Sequence, residues 1–412
     1  MPRSSPRHGG EKVIDFAVAA PAADPGAIEA AAAAAMAGLR EELTGPTGTA
    51  GGGYYPTGVP LLREAIAGRY RARGVATAAE QILVTAGAMG AVHLLACSVF
   101  SRGGTMLVEQ PTYPTALDAL RATPGRLVPF PVTSAGWDLE RMASVFRRLR
   151  PRFAYLIVDF HNPTGALLDL PGRQMLVAAA REAGTLLVVD ETNLELDLDG
   201  RSLPPPLAAL DADARVLSVG SMSKAFWGGL RVGWIRAAPT LVAELAAARH
   251  RIDLANPVLD QLVAAHLLAH ADEHLPARRG ELAARRDVLA GALRAARPQW
   301  HWRLPTGGLC LWVLLDDAVS TRLMTTALRH GLRLVHGPRF GLGETPEQQA
   351  ALERFVRLPY VLPPAALREG VRRLAAAHDE LAEPAEPAEP AGRQASAGGV
   401  QRRLTVTPGG SG

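Results

Sequence analysis

At 412 residues, with 48% hydrophobic and 20% charged side chains, the chain has the composition of an ordinary globular protein long enough for two or three lobes. A formal net charge of +4 is small for that length and the basic residues are scattered, which argues against a nucleic-acid surface; Cys97 and Cys310, far apart in apolar contexts, are expected as buried reduced thiols rather than a disulfide framework. No run of 18 uncharged apolar residues occurs and no Leu-rich segment follows the basic N-terminus, so neither a membrane span nor a signal peptide is expected, and the reading is cytoplasmic.

In chain order, residues 1–12 read as a disordered leader and 13–50 as an N-terminal arm that joins a small lobe. A large lobe over 51–290 follows. "QILVTAG" is a strand entering a Gly turn, "AMGAVHLLACSVF" a helix, and "TMLVEQPTY", "RLVPFPV" and "FAYLIVDF" are strands. The helix "GRQMLVAAAREAG" and the strands "TLLVVDE" and "RVLSVGS" complete the series. Near-continuous apolar strands separated by helices predict an α/β domain whose mainly parallel sheet is buried on both faces. After residue 240 come long helices, then the strands "GGLCLWVLL" and "GLRLVHG", then "FVRLPYV" and the helix "ALREGVRRLAAAH", a smaller α+β lobe over 291–382. The tail 383–412 opens "EPAEPAEPAG" and reads as disordered. His266, His270 and His274 recur every four residues and are taken as a polar helix face rather than a metal site.

Polar residues gather at the strand ends. Gly87, Ala88 and Met89 follow "QILVTA", Tyr113 follows "TMLVEQP", Asn162 follows "LIVDFH", Asp190 ends "TLLVVD" and Lys224 follows "RVLSVGS". Ligands of such sheets bind beyond the carboxyl ends of the strands, so one rim is expected to carry all five sets. Lys224 is one of only two lysines among 44 Lys plus Arg, the other being Lys12. A lysine can lose its proton and act as an amine nucleophile where arginine cannot. Around it, the Ser221 and Ser223 hydroxyls, the flexible Gly228 and Gly229 and the forked cation of Arg231 suit a dianionic phosphate. Imine-forming lysine and phosphate site together point to pyridoxal 5'-phosphate.

Seven stretches carry the matter further: "YYPTGVPLLREAIAGRYRARGV", "VTAGAMGAVHLL", "VEQPTYPTAL", "FHNPTGALLDL", "VVDETNLELDLDG", "GSMSKAFWGGLRVGW" and "RLPYVL". In order and spacing they resemble the fold-type I pyridoxal-phosphate-dependent aminotransferases of class I/II, and more narrowly the aminotransferase-like domain of MocR-type proteins. The resemblance implies an α/β large domain with a mainly parallel seven-stranded sheet, a smaller α+β domain, a homodimer with shared active sites, and an α-amino acid substrate. It implies Lys224 as the Schiff-base lysine and proton carrier, and Asp190 as partner of the pyridine nitrogen. Asn162 would donate to the cofactor's phenolate oxygen, Tyr113 would stack on its ring, and Gly87, Ala88, Met89, Ser221, Ser223 and Arg231 would hold its phosphate. Tyr54 or Tyr55 would reach the phosphate of the neighbouring subunit. Arg357 would clamp the substrate carboxylate, beside Asn162. Val18 to Pro21, Trp227 and His336 to Arg339 are candidate pocket residues.

Two departures qualify the resemblance. Asn193 stands where the family has a tyrosine that bonds the phenolate oxygen, leaving only an amide donor there. The winged-helix domain of MocR-type regulators does not precede residue 13 of this sequence, which argues against a repressor. Three activities stay open: an aminotransferase, a β- or γ-elimination or replacement on an activated amino acid such as S-adenosylmethionine, and a non-catalytic cofactor-binding effector module.

Overall fold

The structure, a computed structural model, describes residues 7–8, 11–44, 52–343 and 345–382. Its central sheet is built from β1 (Ile82–Thr85), β2 (Thr105–Gln110), β3 (Arg126–Thr133), β4 (Gly136–Trp137), β5 (Phe153–Leu156), β6 (Leu186–Asp190), β7 (Val216–Ser221) and β8 (Gly233–Arg236). The spatial order is β1-β8-β7-β6-β5-β2-β3-β4. From β7 to β3 the five adjacent strands run parallel. The expected mainly parallel sheet is therefore present, widened at one edge by the two-residue return strand β4.

Strand β8, which the sequence pattern did not single out, runs antiparallel to both β7 and β1. It returns directly from β7 through the short helical turns Ser223–Trp227, which carries Lys224, and Gly228–Leu230, too little chain for the crossover that a parallel neighbour needs.

Alternate residues of the central strands feed two separate cores. Ala154 and Leu156 of β5 and Leu187 and Val189 of β6 pack on one face, Phe153, Tyr155 and Val188 on the other. Helices cover both faces, which is why these strands read as continuous apolar runs rather than as alternating ones. Local signals set the helix ends. The helix Leu170–Ala183 starts where the Asp169 side chain accepts from the Gly172 N–H and stops at Gly184, held in the left-handed region at φ 73°.

The smaller lobe pairs β9 (Cys310–Leu314), β10 (Val335–His336) and β11 (Phe355–Pro359) in the antiparallel order β9-β11-β10. The N-terminal segment is part of it: Ile14–Asp15 pairs parallel with Leu332–Arg333, and Phe16 is buried against Gly370, where a Cβ would stand 2.3 Å from the ring. The helix Ala271–Ala296 joins the lobes, with Leu275 in the large-lobe core and Leu282, Leu289 and Leu293 in the small-lobe core.

Several expectations need correction or placing. Cys97 is exposed rather than buried, because it falls on the solvent side of the helix Gly87–Ser98, near His93. The histidine series does not share one continuous helix, since His270 separates Val258–Ala269 from Ala271–Ala296. Arg7–His8 pairs with Glu11–Lys12; the rest of the leader and the tail 383–412 lie outside the described residues. Among the described residues, no helix is long and apolar enough to cross a membrane.

Candidate active site

The carboxyl ends of the sheet strands open into a cavity of about 480 Å3. Ala88, Met89, Tyr113, Asn162, Asp190, Asn193, Ser221, Ser223, Lys224 and Arg231 all line it, from the ends of five strands of the large lobe and the connections that follow them. Its remaining walls come from Ala17 to Ala20 of the N-terminal segment and from the small lobe, through Leu309, Cys310, Val335, Arg339, Phe340 and Arg357. One rim thus carries the residues that the strand ends suggested.

Two glycines shape one end. Gly87, at φ +73°, opens the helix Gly87–Ser98, and a Cβ there would stand 2.7 Å from Arg231 Nη2. A Cβ on Gly233 would stand 2.4 Å from the Gly87 carbonyl carbon, so β8 passes close under the helix start only as glycine. Arg231 is thereby laid against the helix N-terminus, donating to the Ala86 carbonyl at 3.0 Å, and no acid among the described residues forms an ion pair with it. The Ser221 hydroxyl donates to Ser223 Oγ at 3.0 Å and accepts from the Ser223 N–H at 3.1 Å. Free helix-terminal amides, two hydroxyls and an unpaired guanidinium make an anion cradle.

Lys224 lies beside that cradle on a wide turn, Ser223–Trp227, in which the Trp227 N–H reaches back to the Met222 carbonyl. Its ammonium donates to the Ala19 carbonyl at 2.7 Å. Burial, then the nearby Arg357, lowers its pKa to about 8, against the pull of Asp190. Asp190 is held on both oxygens, Oδ2 accepting from the Tyr155 hydroxyl at 2.7 Å and Oδ1 from the Thr192 N–H at 3.0 Å. Burial raises its pKa, and the Tyr155 bond opposes that rise. Tyr155 was not legible as a site residue: it is the one hydroxyl in the apolar strand β5, and only the register of β5 against β6 brings it to Asp190.

Glu191, the next residue, is buried on the far side, accepting from the Tyr70 hydroxyl at 2.7 Å and the Ser218 hydroxyl at 2.9 Å. Burial raises its pKa to about 7 from the ordinary 4.5. A carboxyl that binds its proton more tightly folded than unfolded stabilises the fold below about pH 4.5 and loses that contribution as pH rises through about 7. Glu191→Gln, which keeps the shape and removes the titration, is therefore expected to gain on the order of 2–3 kcal/mol over wild type at pH 8 and little at pH 4.5. Urea midpoints measured across that range check this; a constant difference between the two proteins would refute it.

At the other end, Arg357 of β11 is buried, its Nη2 donating to the Ala17 carbonyl at 2.5 Å and its Nη1 to Asn162 Oδ1 at 3.5 Å, with its guanidinium over the Phe340 ring at 5.1 Å. Burial lowers its pKa, no acid among the described residues pairs with it, and its Nε has no partner. With Oδ1 taken by Arg357, the Asn162 amide N–H groups remain for the cavity. Asn193 donates from Nδ2 to the Phe160 carbonyl at 2.9 Å, so one of its two amide protons braces the loop before Asn162. Behind that loop, buried Glu109 accepts from the Trp137 indole and the Ile157 N–H, each at 2.7 Å.

Cys310 faces the cavity with its thiol pushed up to about 11 by burial, so it stays neutral. Of the candidate pocket residues, Val18, Ala19, Ala20 and Arg339 line the cavity, while Pro21, Trp227, His336, Gly337 and Pro338 do not. Tyr54 is 66% exposed, and half-buried Tyr55 packs on the large-lobe core outside the cavity of its own chain.

This set fits pyridoxal phosphate on structural grounds. The cradle suits its phosphate, buried Asp190 offers a carboxyl to a cationic partner, and a lysine of lowered proton affinity lines the same cavity. Arg357 is a buried guanidinium suited to a second anion.

Comparison with known proteins gives the same picture. The family model described as Aminotransferase class I and II matches residues 11–374. The chain is 32% identical to a 2-aminoadipate transaminase of Thermus thermophilus, over 88% of this chain and 89% of that one. It is also 28% identical to YdfD of Bacillus subtilis, an uncharacterized HTH-type transcriptional regulator, over 74% of this chain but 62% of the regulator. Among solved structures it is similar to LysN, an α-aminoadipate aminotransferase of Thermus thermophilus complexed with N-(5'-phosphopyridoxyl)-L-leucine, at a TM-score of 0.79 and 31% identity over 90% of this chain and 93% of that one.

Proposed function

This chain belongs to the class I and II aminotransferases, pyridoxal-phosphate-dependent enzymes acting on amino acids, and we propose that it works as a homodimer whose turnover depends on Lys224, Asp190 and Arg357. The observation that carries the assignment of these residues is Arg357: a buried guanidinium without an acid partner, in one cavity with a lysine whose pKa is drawn down to about 8. Such a pair suits a carboxylate on one side and amine chemistry on the other.

Pyridoxal phosphate, when bound, supplies an aldehyde that condenses with amines and a conjugated ring that takes up the electron pair left on the substrate α-carbon. Gly87, Ala88 and Met89 amides, the Ser221 and Ser223 hydroxyls and Arg231 would hold the phosphate. Asp190, its oxygens fixed by Tyr155 and Thr192, keeps a proton at the ring nitrogen. Asn162 would donate to the ring's phenolic oxygen, with Asn193 bracing the loop that presents it, and Tyr113 would help to hold the ring. Arg357 grips the α-carboxylate and so fixes which substituents of the α-carbon face Lys224. Lys224, whose pKa is drawn down to about 8, would take the α-proton and return it.

A second copy of the chain is supported by an exposed apolar face. Tyr54, Leu61, Ile252 and Leu254 are all exposed on two segments tied together by Arg249 Nη1 on the Pro56 carbonyl at 3.0 Å and by the Val59 N–H on Gln261 Oε1 at 2.8 Å. Covering that face with its counterpart would carry Tyr55 toward the neighbour's phosphate cradle.

A single-turnover experiment tests the reaction. Given one α-amino acid and no keto acid, the holoenzyme is expected to release the matching keto acid and retain one nitrogen per active site, followed with 15N-labelled substrate. Release of ammonia, or of an elimination or replacement product with no nitrogen retained, would instead establish the alternative chemistry.

A further inference from the structure

Resting on the assignment of Lys224, Arg231 and Arg357 to cofactor and α-carboxylate, we infer that this site takes α-amino acids with uncharged, apolar side chains, and that the Asp118–Arg339 ion pair enforces the choice. Four cationic side chains line the cavity: Lys224, Arg231, Arg339 and Arg357. Three have work to do in every substrate cycle. Only Arg339 is left to meet a negatively charged side chain.

Arg339 is already engaged. Its Nη1 donates to Asp118 Oδ1 at 3.1 Å and its Nη2 to Asp118 Oδ2, so both arms of the guanidinium fork meet both oxygens of one carboxylate. The two partners shift each other in the directions a formed pair requires, Asp118 down and Arg339 up. Asp118 sits on the helix Pro114–Arg121, one turn beyond Pro114 and Thr115, which line the same cavity. Asp118 thus covers the Nη1–Nη2 end of the guanidinium, and, although the pair is half exposed, a substrate carboxylate that reached the fork would lie close to the negative charge of Asp118.

The wall next to Arg339 is apolar and stiff. Val335 and Phe340 face the cavity from a cluster in which Trp312 packs edge-on to Phe340 at 5.3 Å and stacks on Phe355 at 5.1 Å. Phe340 also lies under the Arg357 guanidinium, so the group that holds the α-carboxylate sits directly beside this wall. Val18 and Leu309 continue it. An aliphatic or aromatic side chain gains contact there, whereas a carboxylate leaves water for an apolar surface.

The test uses single-turnover keto-acid formation by the holoenzyme from L-leucine, L-phenylalanine, L-glutamate and L-aspartate, together with calorimetric binding of 4-methylpentanoate and glutarate. Wild type is expected to favour leucine or phenylalanine over glutamate at least tenfold, and to bind the monocarboxylate more tightly than the dicarboxylate. Asp118→Ala frees the fork and is expected to raise the glutamate-to-leucine ratio and relative glutarate affinity about tenfold. The double variant Asp118→Ala/Arg339→Leu is expected to lose that gain. Glutamate turned over as readily as leucine by wild type, or a ratio that Asp118→Ala leaves unchanged, would overturn the inference while the site assignment stands. Failure of every amino acid to react would instead overturn the site assignment on which it rests.

Discussion

Replacing Lys224 by Ala is expected to lower amino-group transfer by about a thousandfold or more, because it removes the amine nucleophile and the proton carrier at once. Lys224→Arg is expected to lose as much. It restores the charge and the length but not a group that can give up its proton, so the pair of variants separates chemistry from electrostatics. The fold should survive either change, since the side chain's one protein partner is the Ala19 carbonyl. Borohydride reduction of the wild-type holoenzyme should fix cofactor mass on the peptide containing Lys224. The readout is clean because Lys12 is the only competing lysine. In the cofactor-free chain, acylation of Lys224 should follow a midpoint near the amine pKa of about 8, against about 10 for an ordinary lysine. Adduct on Lys12 alone, or turnover within tenfold of wild type in Lys224→Ala, would remove Lys224 from the mechanism.

Much of this site was readable in the linear sequence, and for a physical reason. A two-side-buried parallel sheet brings its strand ends to one rim, so residues that follow separate apolar runs become neighbours without any long-range information. Asp190, at the end of β6, and Lys224, on the turn that follows the adjacent strand β7, are the clearest case. What was not readable depends on register and on loops. Tyr155 looks like one more core residue of β5 until the pairing of β5 with β6 aligns its hydroxyl with Asp190. The antiparallel strand β8 was missed because "VGWIR" is short and follows a glycine loop, yet it is the strand whose Gly233 lets Arg231 reach the helix start. Val18 to Ala20 and Arg339 are candidate pocket residues in the sequence, but their contacts depend on the docking of the small lobe and were not readable. Asn193 marks the opposite case. Its departure from the family pattern was visible at once, but its bond to the Phe160 carbonyl was not.

Asp190→Asn is expected to cut the rate of amino-group transfer by roughly 10²- to 10³-fold, the usual scale for deleting one charge that is aimed at a developing charge, while cofactor affinity falls much less. The amide is nearly isosteric: its oxygen can still accept from the Thr192 N–H, and its NH2 can donate to the Tyr155 hydroxyl once that hydroxyl turns, so position is retained while the counter-charge is lost. The same substitution is expected to act in the opposite direction on stability. Burial raises the Asp190 pKa in the cofactor-free chain, so the folded state holds that proton more tightly than the unfolded state does. Its contribution is then fully present in acid and is lost as pH rises through the folded-state pKa, which leaves the ionised carboxylate a burden at neutral pH. Cofactor-free Asp190→Asn should accordingly melt at or above the wild-type temperature at pH 7.5, with the difference shrinking in acid. Because Asp190 also holds the Lys224 pKa up, the acylation midpoint of Lys224 should move below wild type in the same variant. A residue needed only for packing would show neither pattern: a lower melting temperature at neutral pH together with near-normal turnover would mean that Asp190 supports the fold rather than the chemistry. Slower catalysis, a chain no less stable and a more acidic lysine, found together, require a charge that is costly in the empty site and needed in the working one.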